Sequence, residues 1–251
     1  MDGQKELKGT FVVLGASGGI GSCLATRLRK AGHAVLLASR ASDRLDQLAA
    51  KLDSPKTEVD AKNLDAVEAC FATAVEKYGR IDGVANCVGS VLLKPAHMTS
   101  EVEWHETIAT NLTSAFATVR ASSRTMRNGG GSVVLMSSAA GRIGLASHEA
   151  IAAAKAGVIG LAQSAAASYA TRNLRFNVVA PGLVKTKLTQ KIWKSERAAA
   201  ASQAMHALGR LGEPEDVASL IAWLLDPTNS WVTGEVFSLD GGLANVRSAR
   251  Q

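Results

Sequence analysis

Short apolar runs alternate with longer stretches of helical period along most of the chain. The short runs are Thr10–Leu14, Ala34–Ala38, Val84–Asn86, Ser132–Met136, Phe176–Ala180 and Val236–Leu239. They are nearly continuous in Val, Leu and Ala, without regular polar interruption, as expected of strands buried on both faces. Between them, Ile20–Ala31, Arg44–Leu52, Asn63–Tyr78, Ile108–Arg127, Ile151–Ala170 and Pro214–Leu225 have the spacing of helices. The alternation predicts a single α/β domain of the Rossmann, doubly wound type. It would have a parallel sheet of about seven strands, helices on both faces, and a ligand at the carboxyl ends of the strands. No Pro/Gly/Ser-rich linker divides the chain.

Composition adds boundaries. With 251 residues, 47% of them hydrophobic, the chain can bury one substantial core. Cys23, Cys70 and Cys87 are odd in number, widely spaced and without a C-x-x-C pair, and the histidines show no ligand spacing. This argues against a disulfide framework or a zinc site and favours a reducing, cytoplasmic setting. Met1 to Gly9 is polar, with no apolar signal core. No run approaches the roughly 18 apolar residues of a membrane span, so no membrane partner is expected. The net charge is +6, but aromatics are only 4% and no basic tract is interleaved with them. That argues against nucleic acid as a partner. Much of the excess sits in Lys185, Lys187, Lys191, Lys194 and Arg197, with Arg247 and Arg250 in the tail. A solvated basic face is the ordinary explanation, and attraction of an anionic substrate or an acidic carrier protein the sharper one.

Chemistry enters at Gly15-Ala16-Ser17-Gly18-Gly19-Ile20-Gly21, between the first strand and the first helix. Gly15 allows a tight turn, Gly19 lets the backbone approach a pyrophosphate, and Gly21 lets the helix pack closely on the sheet. The helix N-terminus then offers free N–H groups and the positive end of its dipole to phosphates. In this strand–turn–helix setting the cluster predicts nucleotide binding. After the second strand, Ser39 and Arg40 stand where an NAD-preferring fold places an acid for the ribose 2′-hydroxyl. An arginine suits a 2′-phosphate, so NADP(H) is favoured over NAD(H). A solvent-facing arginine is the alternative.

The G-x-x-x-G-x-G spacing resembles the classical short-chain dehydrogenase/reductase family. The resemblance extends through Asn86-Cys87-Val88-Gly89, Asn111, Ser137-Ser138, Asn177 to Gly182, Gly212 to Ala218, and Val232 to Gly242. The look is nearest to β-ketoacyl-carrier-protein reductases. It implies that Asp60 bonds the adenine amino group, unless it caps the following helix. It also implies that Ser17, Gly18, Asn86, Gly89, Pro181, Gly182 and Thr186 line the cofactor. Gly18 stands where NADP-binding relatives often have a cation, and Leu14 replaces a common threonine. A substrate lid is implied over about residues 187–208, although an amphipathic surface helix explains the same pattern. The small residues of Ile108–Arg127 and Ile151–Ala170 suit the symmetric contacts of a tetramer or dimer, or equally close packing on the sheet.

The family's chemistry, as the resemblance implies, moves a hydride between nicotinamide and a carbonyl while a tyrosine supplies the proton. A serine holds the carbonyl oxygen, a lysine bonds the ribose, and an asparagine holds a water. Ser138, Lys155 and Asn111 occupy those positions, but Ile151 stands at the tyrosine position with no gap in the spacing. Tyr78 and Tyr169 are too far along their helices to substitute. His148 is the candidate replacement, on the face of Ile151 and Lys155 if Ser147 caps the helix. There a neutral imidazole would polarise a carbonyl as a donor, and a solvent-facing loop histidine is the alternative. Glu149 reads as a first-turn acid. Two functions stay open: an NADP(H)-dependent oxidoreductase with altered proton transfer on a small carbonyl or alcohol substrate, and a nucleotide-binding pseudoenzyme or partner subunit.

Overall fold

A computed structural model describes residues 8–127 and 129–247. The expectations for the first seven residues and for Arg250 fall outside that range. Seven strands form one wholly parallel sheet: β1 (Thr10–Leu14), β2 (Ala34–Ser39), β3 (Lys56–Glu58), β4 (Gly83–Asn86), β5 (Gly131–Met136), β6 (Leu174–Pro181) and β7 (Val236–Leu239). Their order is β3-β2-β1-β4-β5-β6-β7, so the direction of winding reverses between β1 and β4. All the carboxyl ends lie on one edge, and the crevice at such a reversal is where open α/β sheets bind ligands.

The helices follow the chain as α1 (Gly19–Lys30), α2 (Asp43–Leu52), α3 (Leu64–Tyr78), α4 (Glu101–Ile108), α5 (Ser114–Thr125), α6 (Glu149–Tyr169), α7 (Gln190–Trp193), α8 (Glu196–Met205) and α9 (Pro214–Leu225). Strand side chains alternate between two apolar layers. Val12, Leu14, Leu36, Val84 and Leu135 face Phe71 of α3, Ala121 of α5 and Val158 of α6. Val13, Val35, Leu37 and Val134 face Leu24 of α1, Leu45 of α2 and Ile221 of α9. A sheet covered on both faces needs apolar residues at every strand position, which is why its strands read as continuous runs.

Three expectations are corrected. The single helix expected over Ile108–Arg127 is α4, a π-helical turn at Ala109–Thr113, and α5. Within that turn the Asn111 amide donates to the Thr107 carbonyl oxygen and, outside the helix, to Ser90 Oγ, at 2.9 and 2.8 Å. Ser147 does not cap α6. It adopts φ +60°, and His148 is the cap residue, without a side-chain capping bond. Finally, one stretch is long and apolar enough to cross a membrane by length and composition: Glu149–Arg172, with mean hydropathy 1.3 in its most apolar window. It packs against β6 and α5 and carries the buried Lys155, which makes it the core helix of this fold.

Candidate active site

Gly15 turns the chain off β1 with φ +75°. A methyl group there would lie 2.9 Å from the backbone of Cys87 and Val88, just past β4. The glycine is therefore required where the two strand ends meet, at the reversal of winding. A Cβ on Gly21 would lie 2.3 Å from the Gly15 carbonyl oxygen. Gly21 thus closes the turn on itself, whereas its spacing suggested helix-to-sheet packing. Gly19 faces the Thr186 methyl, 3.0 Å from where its Cβ would be. Ser17 and Ser39 share a hydroxyl hydrogen bond of 2.6 Å, tying the glycine turn to the end of β2.

α1 has no capping side chain and no acid in its first turn. The N–H groups of Gly19, Ile20 and Gly21 have no partner within the helix and point out of its positive end. A cradle that excludes side chains and presents free donors fits the pyrophosphate of a dinucleotide. Arg40 is exposed directly after β2. Asp60 accepts from the Lys62 N–H at 3.1 Å and pairs with its ammonium at 3.8 Å. It does not cap α3. Asn63 does, accepting from the N–H groups of Asp65 and Ala66 at 3.0 Å each. Asn86 accepts from Val88 N–H at 2.9 Å and donates to Thr118 at 3.0 Å, so its amide shapes the turn after β4.

The second half of the site is made of side chains. Lys155 is 6% exposed, and its Nζ donates to the Met136 carbonyl oxygen at 2.9 Å. No carboxylate within the described residues pairs with it, and burial pulls its pKa down to about 8. Around Gly89, the point a Cβ would occupy is 3.2 Å from Asn111 Oδ1 and 3.5 Å from Lys155 Nζ. Asn111 Oδ1 also accepts from the Ser90 N–H at 3.1 Å. Both hydrogens of the Asn111 amide are thus engaged within the protein, while Oδ1 keeps a second lone pair. Ser137 Oγ donates to the Lys155 carbonyl oxygen at 2.8 Å, joining β5 to α6. Ser138 Oγ accepts from the Ala140 N–H at 3.2 Å, which leaves its hydroxyl hydrogen for a ligand. Ile151 lies one turn before Lys155 and is 5% exposed. Cys87 is a neutral thiol, pushed up to about 12 by burial against the opposing effect of Lys155.

His148 does not suit the donor role. Its Nδ1 is 2.6 Å from the Ala146 carbonyl oxygen, which can only accept. The single proton of a neutral ring is committed there, and Nε2 is left as an acceptor. Tyr169 packs on Phe176, with ring centroids 5.8 Å apart, and Tyr78 lines a cleft at the amino edge of the sheet. Neither tyrosine belongs to the carboxyl-edge site.

Beyond Pro181 and Gly182 the chain leaves the sheet, runs through α7 and α8, and returns at Gly212, which bridges to Val184. The Thr186 carbonyl oxygen accepts from Trp193 Nε1 at 2.8 Å. Of the basic residues here, Lys185 pairs with Glu213 at 2.6 Å, and Lys194 lies 5.8 Å from the Trp193 ring centroid. Lys187, Lys191 and Arg197 are exposed.

A family model described as enoyl-(acyl carrier protein) reductase matches residues 15–244. A 3-oxoacyl-(acyl-carrier-protein) reductase of Thermotoga maritima is 34% identical over 238 residues, covering 92% of this chain and 96% of the relative. An NAD-dependent glycerol dehydrogenase of Listeria innocua is 33% identical, covering 92% of each chain. A solved short-chain type dehydrogenase/reductase from Mycobacterium ulcerans superposes with TM-score 0.92 at 29% identity, over 96% of this chain and 92% of that one. A structure of ElxO with NADP bound gives 0.88 at 27% identity, over 94% and 99%. The chain belongs to the short-chain dehydrogenase/reductase family.

Membership of the short-chain dehydrogenase/reductase family accords with the carboxyl edge as the site, although a large cleft lies elsewhere. That cleft, about 1420 Å³, sits at the amino edge beside Thr10, Gly131, Arg175 and Trp231, and contains none of the residues placed at the carboxyl edge. The crossover at β1 and β4 and the free N–H groups outweigh its size. Two site residues escaped the sequence reading. Ser90 is fixed only by its bonds to Asn111, and His206 is a lone histidine until its contact with Gly182 is seen.

Proposed function

We propose that this chain is an NADP(H)-dependent oxidoreductase that interconverts a carbonyl and a hydroxyl group, with Ile151 in the place of the family's proton-donating tyrosine. The observation that carries this reading is the meeting of Lys155, Asn111 and Gly89 next to the glycine turn, with a buried alkyl side chain one helical turn away. When bound, the nicotinamide supplies or accepts the hydride. Ser138 offers its free hydroxyl hydrogen to the substrate oxygen. Lys155 keeps two ammonium hydrogens for the ribose after its bond to Met136. Ile151 excludes water from that side and has no proton to give. A general acid typically contributes about 10²–10⁴ in rate, so turnover is slow by that factor unless the proton comes from solvent.

Support for NADP(H) comes from Arg40 and from the NADP bound in ElxO, while the Listeria relative is named NAD-dependent. The exposed Lys187, Lys191 and Arg197 of the lid support an anionic or carrier-linked substrate. The small-residue faces of α5 and α6 support a homo-oligomer, and the unpaired cysteines a cytoplasmic setting.

The test measures NADPH binding and turnover over a panel of carbonyl compounds, for the natural chain and for Ile151→Tyr. Binding in both, with a clear gain of reductase activity in the variant, is the expected result. Absence of NADPH binding would sink the reading. High turnover in the natural chain and none in the variant would mean that the pocket is rebuilt around Ile151. Binding without turnover in either would favour a role for the dinucleotide as a structural or switching ligand, which Ile151 alone now suggests.

A further inference from the structure

His206, at the carboxyl end of α8, is 4% exposed and uses both ring nitrogens. The Leu183 backbone N–H donates to Nε2 at 3.2 Å, and Nδ1 is 2.6 Å from the Ser202 carbonyl oxygen. A backbone N–H only donates and a carbonyl only accepts, so the ring in this arrangement is neutral, with its one proton on Nδ1. The same ring accounts for Gly182, where a Cβ would lie 2.4 Å from Nε2. A side chain leaving one end of the lid is thus seated on the backbone entering the other. The Val184–Gly212 bridge closes the base of the loop beside it. Thr186, one short step past Leu183, is the residue held against Gly19.

We propose that His206 is a positioning residue for the dinucleotide site: by accepting from Leu183 it fixes the entry of the lid and with it the place of Thr186 over the glycine turn. The inference deepens the proposed function and rests on it only for the identity of the ligand.

The charged groups around the ring are engaged with other partners. Asp240, past the end of β7, has its two oxygens on the N–H groups of Gly242 and Ala244 at 2.9 and 3.0 Å. Arg210 and Asp216 pair with each other at 2.7 Å. Lys185, on the lid's entry, is paired with Glu213.

The experiment titrates NADPH into the natural chain and into His206→Leu, His206→Gln and His206→Asn. It follows both the Kd and the emission of Trp193, with Trp193→Phe as the blank. Leucine, which cannot accept, is expected to weaken binding about tenfold and to shift Trp193 emission before ligand is added. Glutamine carries its oxygen to the Nε2 position and restores both readouts. Asparagine reaches only the Nδ1 position and restores neither. Equal affinity and emission in the glutamine and asparagine variants would overturn the proposal while the dinucleotide reading stands, even if the leucine variant fails to fold. No NADPH binding by the natural chain would overturn both.

Discussion

At the end of β1 the binding surface is backbone: glycines that exclude side chains, and N–H groups at the start of α1. At the end of β5 and along α6 it is side chains: Ser138, Lys155 and, one turn earlier, Ile151. The first half has no spare room, since a single carbon on Gly21 would meet the Gly15 carbonyl oxygen at 2.3 Å. The second half accommodates an isoleucine, 5% exposed, in a helix of regular hydrogen bonding. A site made of backbone is inseparable from the fold around it. A site made of side chains can change its chemistry one position at a time, because the scaffold does not depend on which group stands there.

The sharpest way to break this contrast is Ile151→Tyr. If chemistry is separable from fold, carbonyl turnover rises by about 10²–10⁴ while NADPH affinity stays within about twofold. A large loss of affinity in that variant would show the halves to be coupled. Gly21→Ala is the reverse case: NADPH binding should fall about a hundredfold and stability by about 1–3 kcal/mol, read by ligand titration and urea unfolding. Unchanged binding would mean that the turn yields more than its geometry implies.

Lys155→Met tests what the buried cation costs the fold. Burial lowers the lysine from 10.5 to about 8, so between those values the unfolded chain holds a proton that the folded chain has lost. Stability of the natural chain therefore rises with pH across that window. The methionine variant should be more stable by about 1–3 kcal/mol below pH 8, with the gap closing towards pH 10.5 in paired urea titrations. A gap that is constant with pH would remove the burial argument. Arg40→Glu should shift the NADPH-to-NADH preference about tenfold without moving stability. His148→Ala, at the small end, should leave turnover within about twofold, since the ring's one proton is spent on Ala146.

Much of the backbone half was legible beforehand. Val and Leu runs mark strands because both sheet faces are covered, and the glycine spacing marks the turn because only backbone fits there. The edge strand β3 was harder to read: Lys56-Thr57-Glu58 is exposed and polar, without a run to mark it. Side-chain partnerships were less legible, because they depend on contacts distant in sequence. Asn111 sits in a π-helical turn and bonds Ser90 and Thr107, and nothing in the local pattern of Ile108–Arg127 records the first of these. The capping chemistry of serine also pointed to Ser147 as the start of α6, where a left-handed φ precedes the cap residue His148 instead. His206 and Gly182 lie far apart in sequence, and neither announces the other.

The parallel sheet also sorts the molecule for engineering. Every connection leading from a helix into a strand runs along the amino edge, among them Ala31–His33, Gly79–Asp82 and Ala170–Asn173. None of these carries a residue of the site. Gly79 has positive φ and open space around its missing Cβ. A tag, a surface-attachment cysteine or a short inserted peptide beside it would tether the protein by its far side, with the binding edge facing outward.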